Sequence, residues 1–256
     1  MLLTGATGGI GGAIARAFAA RGAHLVLSGR RTEVLEPLAQ ELGSQAVRCD
    51  LSDRADLERL VAAAGDVEVL VANAAMPGTG VLTELTQDEI DRMLEVNLRA
   101  PIALAHALVP AMIARRSGHL VFISSLNGRV AVPASSIYSA TKFGLRGFAL
   151  GIRQDLRPHG VGVSVVMPGF VREAGLFADA GVKLPRGVGT RSPAQVAEAV
   201  IRAIEANRAE IDVAPVGLRL GATIAGVAPE LAASVSRLAG AERIALDVAA
   251  GQREKL

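Results

Sequence analysis

The chain opens on the stretch Thr4-Gly5-Ala6-Thr7-Gly8-Gly9-Ile10-Gly11-Gly12, which follows a short apolar strand end and precedes a helical pattern over residues 13–22. A strand, a glycine loop and a helix in this order form a phosphate cradle, because small residues let the backbone approach a pyrophosphate and the helix N-terminus supplies unpaired N–H groups. The alternative is a glycine-rich turn without function. We predict a dinucleotide site with these contacts: Gly5, Thr7, Gly9, Ile10 and Gly11.

The next predicted strand, residues 24–28, ends in Gly29-Arg30-Arg31. In dinucleotide-binding folds, side chains at this point discriminate between the two cofactors. A carboxylate binds the 2′-hydroxyl of NAD, whereas a basic group binds the 2′-phosphate of NADP. No carboxylate occurs here before Glu33. We therefore predict NADP(H) as the preferred cofactor, with NAD(H) possible and Arg30 as a ligand. Solvated loop charges are the alternative for the two arginines.

Two more predicted strands, residues 46–50 and 67–72, end in residues suited to the same ligand. Asp50 and Leu51 are predicted to rim the adenine pocket, since both stand at a strand's carboxyl end. Asn73 and Ala74 follow the second of these strands in a tight turn of small residues, which we predict to lie against the cofactor.

A second constellation centres on Tyr138 and Lys142, which a four-residue step places on one face of a predicted helix. Ser125 ends the apolar run of residues 118–125, a predicted buried parallel strand that delivers its last residue to the same edge. A phenol has a pKa of about 10, so a nearby ammonium group that favours the phenolate makes it a tuned acid–base group. We expect Lys142 to lower the pKa of Tyr138. The alternative is a partly buried aromatic beside a surface charge.

The rest of the chain continues the alternation of helices and strands. Thr86 and Ser192 begin predicted capping boxes, with Glu89 and Gln195 three residues later. The helix after Thr86 carries Asn97 on an apolar face, where a buried amide needs partners. Further elements are predicted in these ranges: a strand at 162–168, a lid over the site at about 170–192, a strand at 210–214 and an apolar helical segment at about 216–250.

Composition limits the function classes. Half of the 256 residues are hydrophobic, and 27 basic residues nearly balance 25 acidic ones, so we expect no nucleic-acid partner. Cys49 is the single cysteine, which excludes an intramolecular disulfide and favours a reducing compartment. The four histidines show no metal-ligand spacing, and no secretory signal or uncharged apolar run long enough to span a membrane occurs. We expect a cytoplasmic protein without a metal site or transmembrane segment.

Taken together, the glycine loop, Ser125 and the Tyr138-x3-Lys142 pair resemble the short-chain dehydrogenase/reductase family from Thr4 to about Pro215. The resemblance implies an α/β fold: a single-domain, Rossmann-type, doubly wound sheet of about seven parallel strands with helices on both faces. It implies NAD(P)-dependent hydride exchange between a carbonyl and an alcohol, in a homodimer or homotetramer. It also implies these roles: Ser125 polarises the carbonyl, Tyr138 is the acid–base group, Lys142 lowers its pKa and binds the nicotinamide ribose, Asn97 anchors a proton-relay water, and Pro168 and Val171 contact the cofactor.

Three departures from the family pattern accompany this resemblance. Ala75 stands where a glycine is usual beside the cofactor, and Glu173 stands where a threonine usually holds the carboxamide, so that the backbone of Val171 is left for this task. The first strand also lacks its usual lead-in. The departures at Ala75 and Glu173 support an alternative function, a non-catalytic NADP(H)-binding sensor or scaffold. A nucleotide-sugar epimerase or dehydratase is a further alternative, although such relatives are longer and have a different glycine spacing.

The substrate is predicted from the lid. Leu176, Phe177, Val182 and Leu184 favour an apolar small-molecule carbonyl or alcohol. Basic lid residues would suit an acidic handle such as a thioester carrier, or they are surface charges without function. These basic residues are Lys183, Arg186 and Arg191.

Overall fold

The structure is a computed structural model that describes residues 1–77, 80–173, 189–228, 230 and 246. Seven strands form one sheet in the order β3-β2-β1-β4-β5-β6-β7, and every pairing between neighbours is parallel. The strands are β1 (Leu2–Thr4), β2 (Val26–Gly29), β3 (Gln45–Arg48), β4 (Val69–Ala72), β5 (Gly118–Ile123), β6 (Val161–Pro168) and β7 (Glu210–Val213). The predicted doubly wound parallel sheet is confirmed.

Helices cover both faces of this sheet. They are α1 (Gly9–Ala19), α2 (Thr32–Glu41), α3 (Arg54–Ala64), α4 (Gln87–Leu94), α5 (Ala100–Ala114), α6 (Ser136–Leu156), α7 (Pro193–Glu205) and α8 (Val216–Val227). Successive strand residues enter opposite cores: Leu120 and Phe122 of β5 pack with α3, α5 and α6, whereas Val121 packs with α1, α2 and α7. The strands therefore read as continuous apolar runs, as expected of a parallel sheet buried on both faces.

Both predicted capping boxes are present. The Thr86 hydroxyl accepts from the Glu89 N–H, and Ser192 is paired in the same way with Gln195, so each begins its helix as predicted. The helix after Thr86 does not break at Pro101. It runs from α4 into α5 through a π-helical turn, Glu95–Arg99. This stretch, Gln87–Ala114, is long and apolar enough to cross a membrane by length and composition, but part of it is buried in the fold.

The sheet order defines a crevice. The chain winds outward from β1 to β3 on one side and from β4 to β7 on the other, so the order reverses between β1 and β4. Ligands of open α/β sheets bind outside the carboxyl ends of the strands at such a point. The glycine loop follows β1 and the turn at Asn73 follows β4, so both line this crevice. Most of the predicted lid and of the segment after α8 lies outside the described residues.

Candidate active site

The glycine loop is held in shape by close backbone contacts. Gly5 has a φ of +68°, and a Cβ atom on it would come within 2.7 Å of the Ala74 Cα. A Cβ on Gly11 would collide with the Gly5 carbonyl, so the second glycine allows α1 to pack directly on the loop. Gly8 caps α1 without a side-chain hydrogen bond, and the first turn of α1 contains no acidic residue. The loop therefore leads into the N-terminus of α1 at Gly9 and Ile10, while their contact with a dinucleotide stays a prediction.

The turn after β4 is tied to this loop through Thr4, a role that the sequence did not reveal. The Thr4 hydroxyl oxygen accepts hydrogen bonds from the backbone N–H groups of Asn73, at 3.1 Å, and Ala74, at 3.2 Å. The Asn73 side-chain amide donates to the carbonyls of Thr4 and Gly5, both at 3.1 Å. Asn73 and Ala74 thus lie beside the cradle and Asn73 fixes its shape, while their contact with the cofactor stays a prediction. We call the glycine loop, this turn and the ends of β2 and β3 the cofactor corner.

Arginines converge near the ends of β2 and β3 in the cofactor corner. Asp50 Oδ2 lies 4.0 Å from an Arg30 nitrogen and 3.6 Å from an Arg92 nitrogen, although Arg92 belongs to α4 and was not predicted. Arg31 donates to the Thr7 carbonyl at 2.6 Å. Burial raises the pKa of Asp50, but hydrogen bonds from Ser52 and the two guanidinium charges outweigh this and hold it below its usual range. Asp50 is therefore an anion that organises cations, with the buried Leu51 next to it.

Gly29 explains why this corner has no carboxylate at the end of β2. A Cβ atom at Gly29 would lie 2.7 Å from the Thr7 methyl carbon. A carboxylate side chain there would have to displace Thr7 from the loop. The end of β2, where an NAD-selective fold holds the 2′-hydroxyl with a carboxylate, thus carries Gly29 followed by Arg30, and the carboxylate that the structure places near Arg30 is Asp50 at the end of β3.

The structure brings the second constellation together. Ser125 follows β5 and its hydroxyl accepts from the Asn127 N–H at 3.1 Å. Lys142 is 1% exposed, and its Nζ donates to the Ile123 carbonyl at 3.1 Å and lies 5.5 Å from the centre of the Tyr138 ring. The end of β5 therefore holds the hydroxyl and the ammonium group, and α6 adds the phenol. We call these side chains the catalytic corner.

The predicted direction of the Tyr138 pKa shift is wrong for this structure. Burial raises the pKa of the phenol to about 12, and the smaller opposing effect is a side-chain hydrogen bond with Ser125. Burial also lowers the pKa of Lys142 to about 8. The desolvation cost of the phenolate therefore exceeds any help from the buried amine, and Tyr138 holds its proton at neutral pH.

Asn97 lies within the π-helical turn and is 1% exposed. Its Oδ1 accepts from the Met76 N–H at 2.7 Å, and its Nδ2 donates to the Met76 carbonyl at 3.0 Å. The partners that a buried amide requires are thus the backbone groups just after the β4 turn. Asn97 links the long helix to the crevice, while its predicted hold on a proton-relay water stays a prediction.

The chain after β6 forms the far rim of the crevice. Pro168 ends β6 in a buried position, and Val171 forms a parallel bridge with Arg191. The bridge uses the Phe170 carbonyl and the Arg172 N–H, and not the backbone groups of Val171. The role of the Val171 backbone toward the carboxamide of the cofactor stays a prediction. Glu173 has a φ of +67° and pairs with Arg172 in an exposed position.

A partly buried ion-pair cluster supports the catalytic corner, and sequence reasoning missed it. Arg129 lies in the segment after Ser125 and pairs with Glu210 at 2.8 Å and with Asp212 at 3.3 Å. Arg146, on the same helix as Tyr138, pairs with Glu210 as well. These pairs connect the Ser125 segment, α6 and β7. Because the partners are far apart in the chain, no local motif could have indicated them.

The described part of the chain contains no candidate metal site. Residues 1–77, 80–173 and 189–228 contain no group of three or more His, Cys, Asp or Glu side chains arranged to hold a metal ion. Cys49 is buried and free, and burial raises the pKa of its thiol to about 11. A protonated buried thiol of this kind is inert.

Comparison with known proteins agrees with the geometry. A family model described as short chain dehydrogenase matches residues 1–181. Dehydrogenase/reductase SDR family member 7B of Xenopus laevis is 34% identical over 258 residues, covering 92% of this chain and 80% of the relative. Ketoacyl reductase HetN of a Nostoc strain is 36% identical over 220 residues, covering 82% of this chain and 77% of the relative.

Among solved structures, a short-chain dehydrogenase from Sphingobium yanoikuyae in complex with NADPH superimposes with a TM-score of 0.76 at 27% identity. The match covers 94% of this chain and 93% of that one. The family model thus spans the residues of both corners described above, and the sequence match and the fold match extend over most of the chain. The chain belongs to the short-chain dehydrogenase/reductase family of oxidoreductases.

Proposed function

We propose that this protein is an NADP(H)-dependent oxidoreductase that exchanges a hydride between the nicotinamide and a small carbonyl or alcohol substrate, with Tyr138 as the acid–base group. The observation that carries this proposal is the convergence of Ser125, Tyr138 and Lys142 at the carboxyl end of β5, across the crevice from the glycine loop. A dinucleotide fits the cofactor corner because the glycine loop leads directly into the N-terminus of α1, where the first turn contains no acidic residue and unpaired N–H groups favour a pyrophosphate.

The bound nicotinamide supplies the hydride donor or acceptor in this proposal. Ser125 holds the substrate oxygen by a hydrogen bond, and Tyr138 gives that oxygen a proton as the carbonyl is reduced. With a pKa of about 12 the phenol is fully protonated at neutral pH, which suits the reductive direction. Lys142 keeps the end of β5 in place through the Ile123 carbonyl, and its amine, 5.5 Å from the centre of the Tyr138 ring, would bind the nicotinamide ribose.

The preference for NADP(H) is supported by the charges of the cofactor corner. Arg30 and Arg92 share one carboxylate, Asp50, so this part of the corner keeps an excess positive charge. A charge-assisted hydrogen bond to the 2′-phosphate is worth about 1.5–3 kcal/mol, or roughly tenfold to a hundredfold in affinity. We expect Arg30→Ala to reduce the preference for NADPH over NADH. Equal affinities of the parent for NADPH and NADH would refute the proposed preference for NADP(H).

The substrate class is part of the proposal. We favour an apolar carbonyl or alcohol, on the basis of the apolar residues in the lid sequence. A thioester-linked ketone is the second candidate, because one similar protein is named a ketoacyl reductase. Activity against free ketones, compared with activity against acyl thioesters, separates the two.

The deciding experiment compares the parent with Tyr138→Phe, which removes the hydroxyl and keeps the ring. We expect cofactor oxidation over a panel of carbonyl compounds in the parent, and a loss of about a hundredfold to ten-thousandfold in kcat in the variant. Cofactor affinity, measured by calorimetry, should stay nearly the same. Tight cofactor binding without turnover of any panel member would favour the alternative, a binding-only sensor or scaffold.

We also propose a homodimer or homotetramer that works in the cytoplasm. Leu94 of α4 and Phe143 of α6 are large apolar side chains with 37% and 41% exposure, and both stand on the helices expected to pair. The single cysteine is consistent with a reducing compartment. Light scattering at micromolar concentration tests the assembly, and a monomeric mass would refute it.

A further inference from the structure

Helix α8 has apolar side chains on two opposite faces. On its inner face, Ala222 packs in a small core with Leu126 and Ala214. Its outer face carries four exposed aliphatic side chains, with exposures of 64%, 59%, 53% and 85%: Val216, Leu220, Ile224 and Val227. At about 100° per residue these four fall within an arc of about 80°, in a row about 16 Å long.

Such a row differs from ordinary surface apolarity. Single exposed aliphatics are common on folded proteins, whereas a contiguous row on one helix marks a surface that contacts something apolar. The row is flanked on one side by Arg219 and Thr223, and α8 contains no acidic residue. The exposed surface of α8 therefore combines an apolar row with a basic edge beside it.

A groove beside α8 extends the basic edge. It lies between α7 and α8 at the end of β7, and three arginines line it: Arg191, Arg202 and Arg219. Within the described residues, none of the three forms an ion pair with a carboxylate. Among the described residues, the Arg191 guanidinium group donates to the Ala214 carbonyl, at 3.3 Å, and to no carboxylate, which leaves its charge uncompensated.

The groove also contains two carboxylates, but each already has a cation from outside the groove. Glu198 pairs with Arg21 at 3.4 Å, and Asp212 pairs with Arg129 at 3.3 Å. The groove consequently keeps the positive charge of its arginines and should attract anions. A surface that joins an apolar row to uncompensated arginines is complementary to anionic lipid headgroups over acyl chains.

We propose that the outer face of α8 docks on an anionic lipid bilayer. Val216, Leu220, Ile224 and Val227 enter the boundary between headgroups and acyl chains, and the groove arginines contact lipid phosphates. Because Ala222 packs against Leu126, directly after Ser125, docking brings the catalytic corner close to the bilayer. This last consequence rests on the proposed function, whereas docking itself does not.

The test is co-flotation of the full chain with vesicles of phosphatidylcholine alone and of phosphatidylcholine mixed with phosphatidylglycerol. We expect binding to the mixed vesicles that falls with added salt. The double variant Leu220→Ser/Ile224→Ser should bind at least about tenfold more weakly. Arg202→Gln and Arg219→Gln should each weaken binding about fivefold. Leu82→Ser, at a similarly exposed leucine, and Arg54→Gln serve as matched controls that keep binding.

Three outcomes overturn the proposal. The first is that the parent fails to float with the mixed vesicles. The second is that it floats equally well when both apolar residues are replaced. The third is that the double variant instead changes the mass measured by light scattering, which would assign the row to a second copy of the chain. All replaced side chains are exposed, so we expect every variant to fold, and circular dichroism checks this. None of these measurements depends on turnover, so a failed activity assay leaves them intact.

Discussion

The cofactor corner and the catalytic corner face each other across one crevice but are built by different means. In the cofactor corner, glycines and backbone hydrogen bonds set the shape, as when Gly11 packs against the Gly5 carbonyl and Asn73 ties the loop to β4. In the catalytic corner, buried polar side chains set it, and burial shifts the pKa values of Tyr138 and Lys142 in opposite directions. The first corner should be sensitive to added atoms, and the second to changes of charge.

The largest expected effect is steric and falls on the cofactor corner. Gly5→Ala places a Cβ atom in a left-handed backbone conformation and against the Ala74 Cα. Gly22→Ala is the matched control, because Gly22 has a similar φ of +76° but no atom within 4 Å of the added Cβ. We expect the control to lose about 1–2 kcal/mol of unfolding free energy, and Gly5→Ala to lose about 1–3 kcal/mol more.

Urea denaturation measures both losses, and calorimetry should show that only Gly5→Ala loses cofactor binding. Equal losses in the two variants would mean that backbone strain alone, and not the close contact with the turn after β4, makes glycine necessary in the loop.

The next effect tests charge in the half of the sheet that carries the catalytic corner. His119 of β5 is buried and bonds the Ser164 hydroxyl at 2.8 Å; burial, with a smaller effect of Arg153, lowers its pKa to about 4. The unfolded pKa is about 6.5, so the unfolded chain binds more protons between these values. The stabilising effect of the neutral imidazole is fully present above pH 6.5 and is lost as the pH falls through 4.

We expect the free energy of unfolding to fall by an amount on the order of 3 kcal/mol over this range from His119 alone. Urea titrations at several pH values measure it. His119→Gln should flatten the profile between pH 6.5 and 4, and an unchanged slope in this variant would show that other groups cause the loss.

Sequence reasoning succeeded for features that depend on nearby residues. The glycine loop, the capping boxes at Thr86 and Ser192, and the approach of Tyr138 to Lys142 all follow from spacing within one or two elements. It failed on the direction of the Tyr138 pKa shift, because the depth of burial depends on how α6 packs on β5. Contacts such as Arg92 with Asp50 join distant segments, so only the fold reveals them.

A third prediction addresses that failure directly. Tyr138 is the only tyrosine and the chain has no tryptophan, so near-ultraviolet absorbance reports the ionisation of this phenol alone. We expect the folded protein to ionise near pH 12, about two units above the same chain in urea. Lys142→Met should change this midpoint little, because an amine with a pKa of about 8 is already neutral there. A midpoint below 10 that rises in Lys142→Met would show that Lys142 does lower the pKa of Tyr138.

The smallest expected effect is the contribution of a single charge, that of Arg92, to ligand affinity in the cofactor corner. Arg92 reaches from α4 to the same Asp50 oxygen that Arg30 approaches, so Arg92→Gln removes one of two cations around one anion. Both arginines are about half exposed, and solvent screening limits the contribution of such a cation to about 1 kcal/mol.

Calorimetry with 2′,5′-ADP and with 5′-ADP isolates the contribution of the 2′-phosphate from turnover. Arg92→Gln should weaken binding of the first ligand about fivefold and leave the second unchanged, while Arg54→Gln, an exposed arginine at the start of α3, should change neither. An equal loss for both ligands would mean that Arg92 acts only by holding Asp50 against the adenine side. A loss for 2′,5′-ADP alone would show that charge determines the ligand selectivity of the cofactor corner, although backbone packing determines its shape.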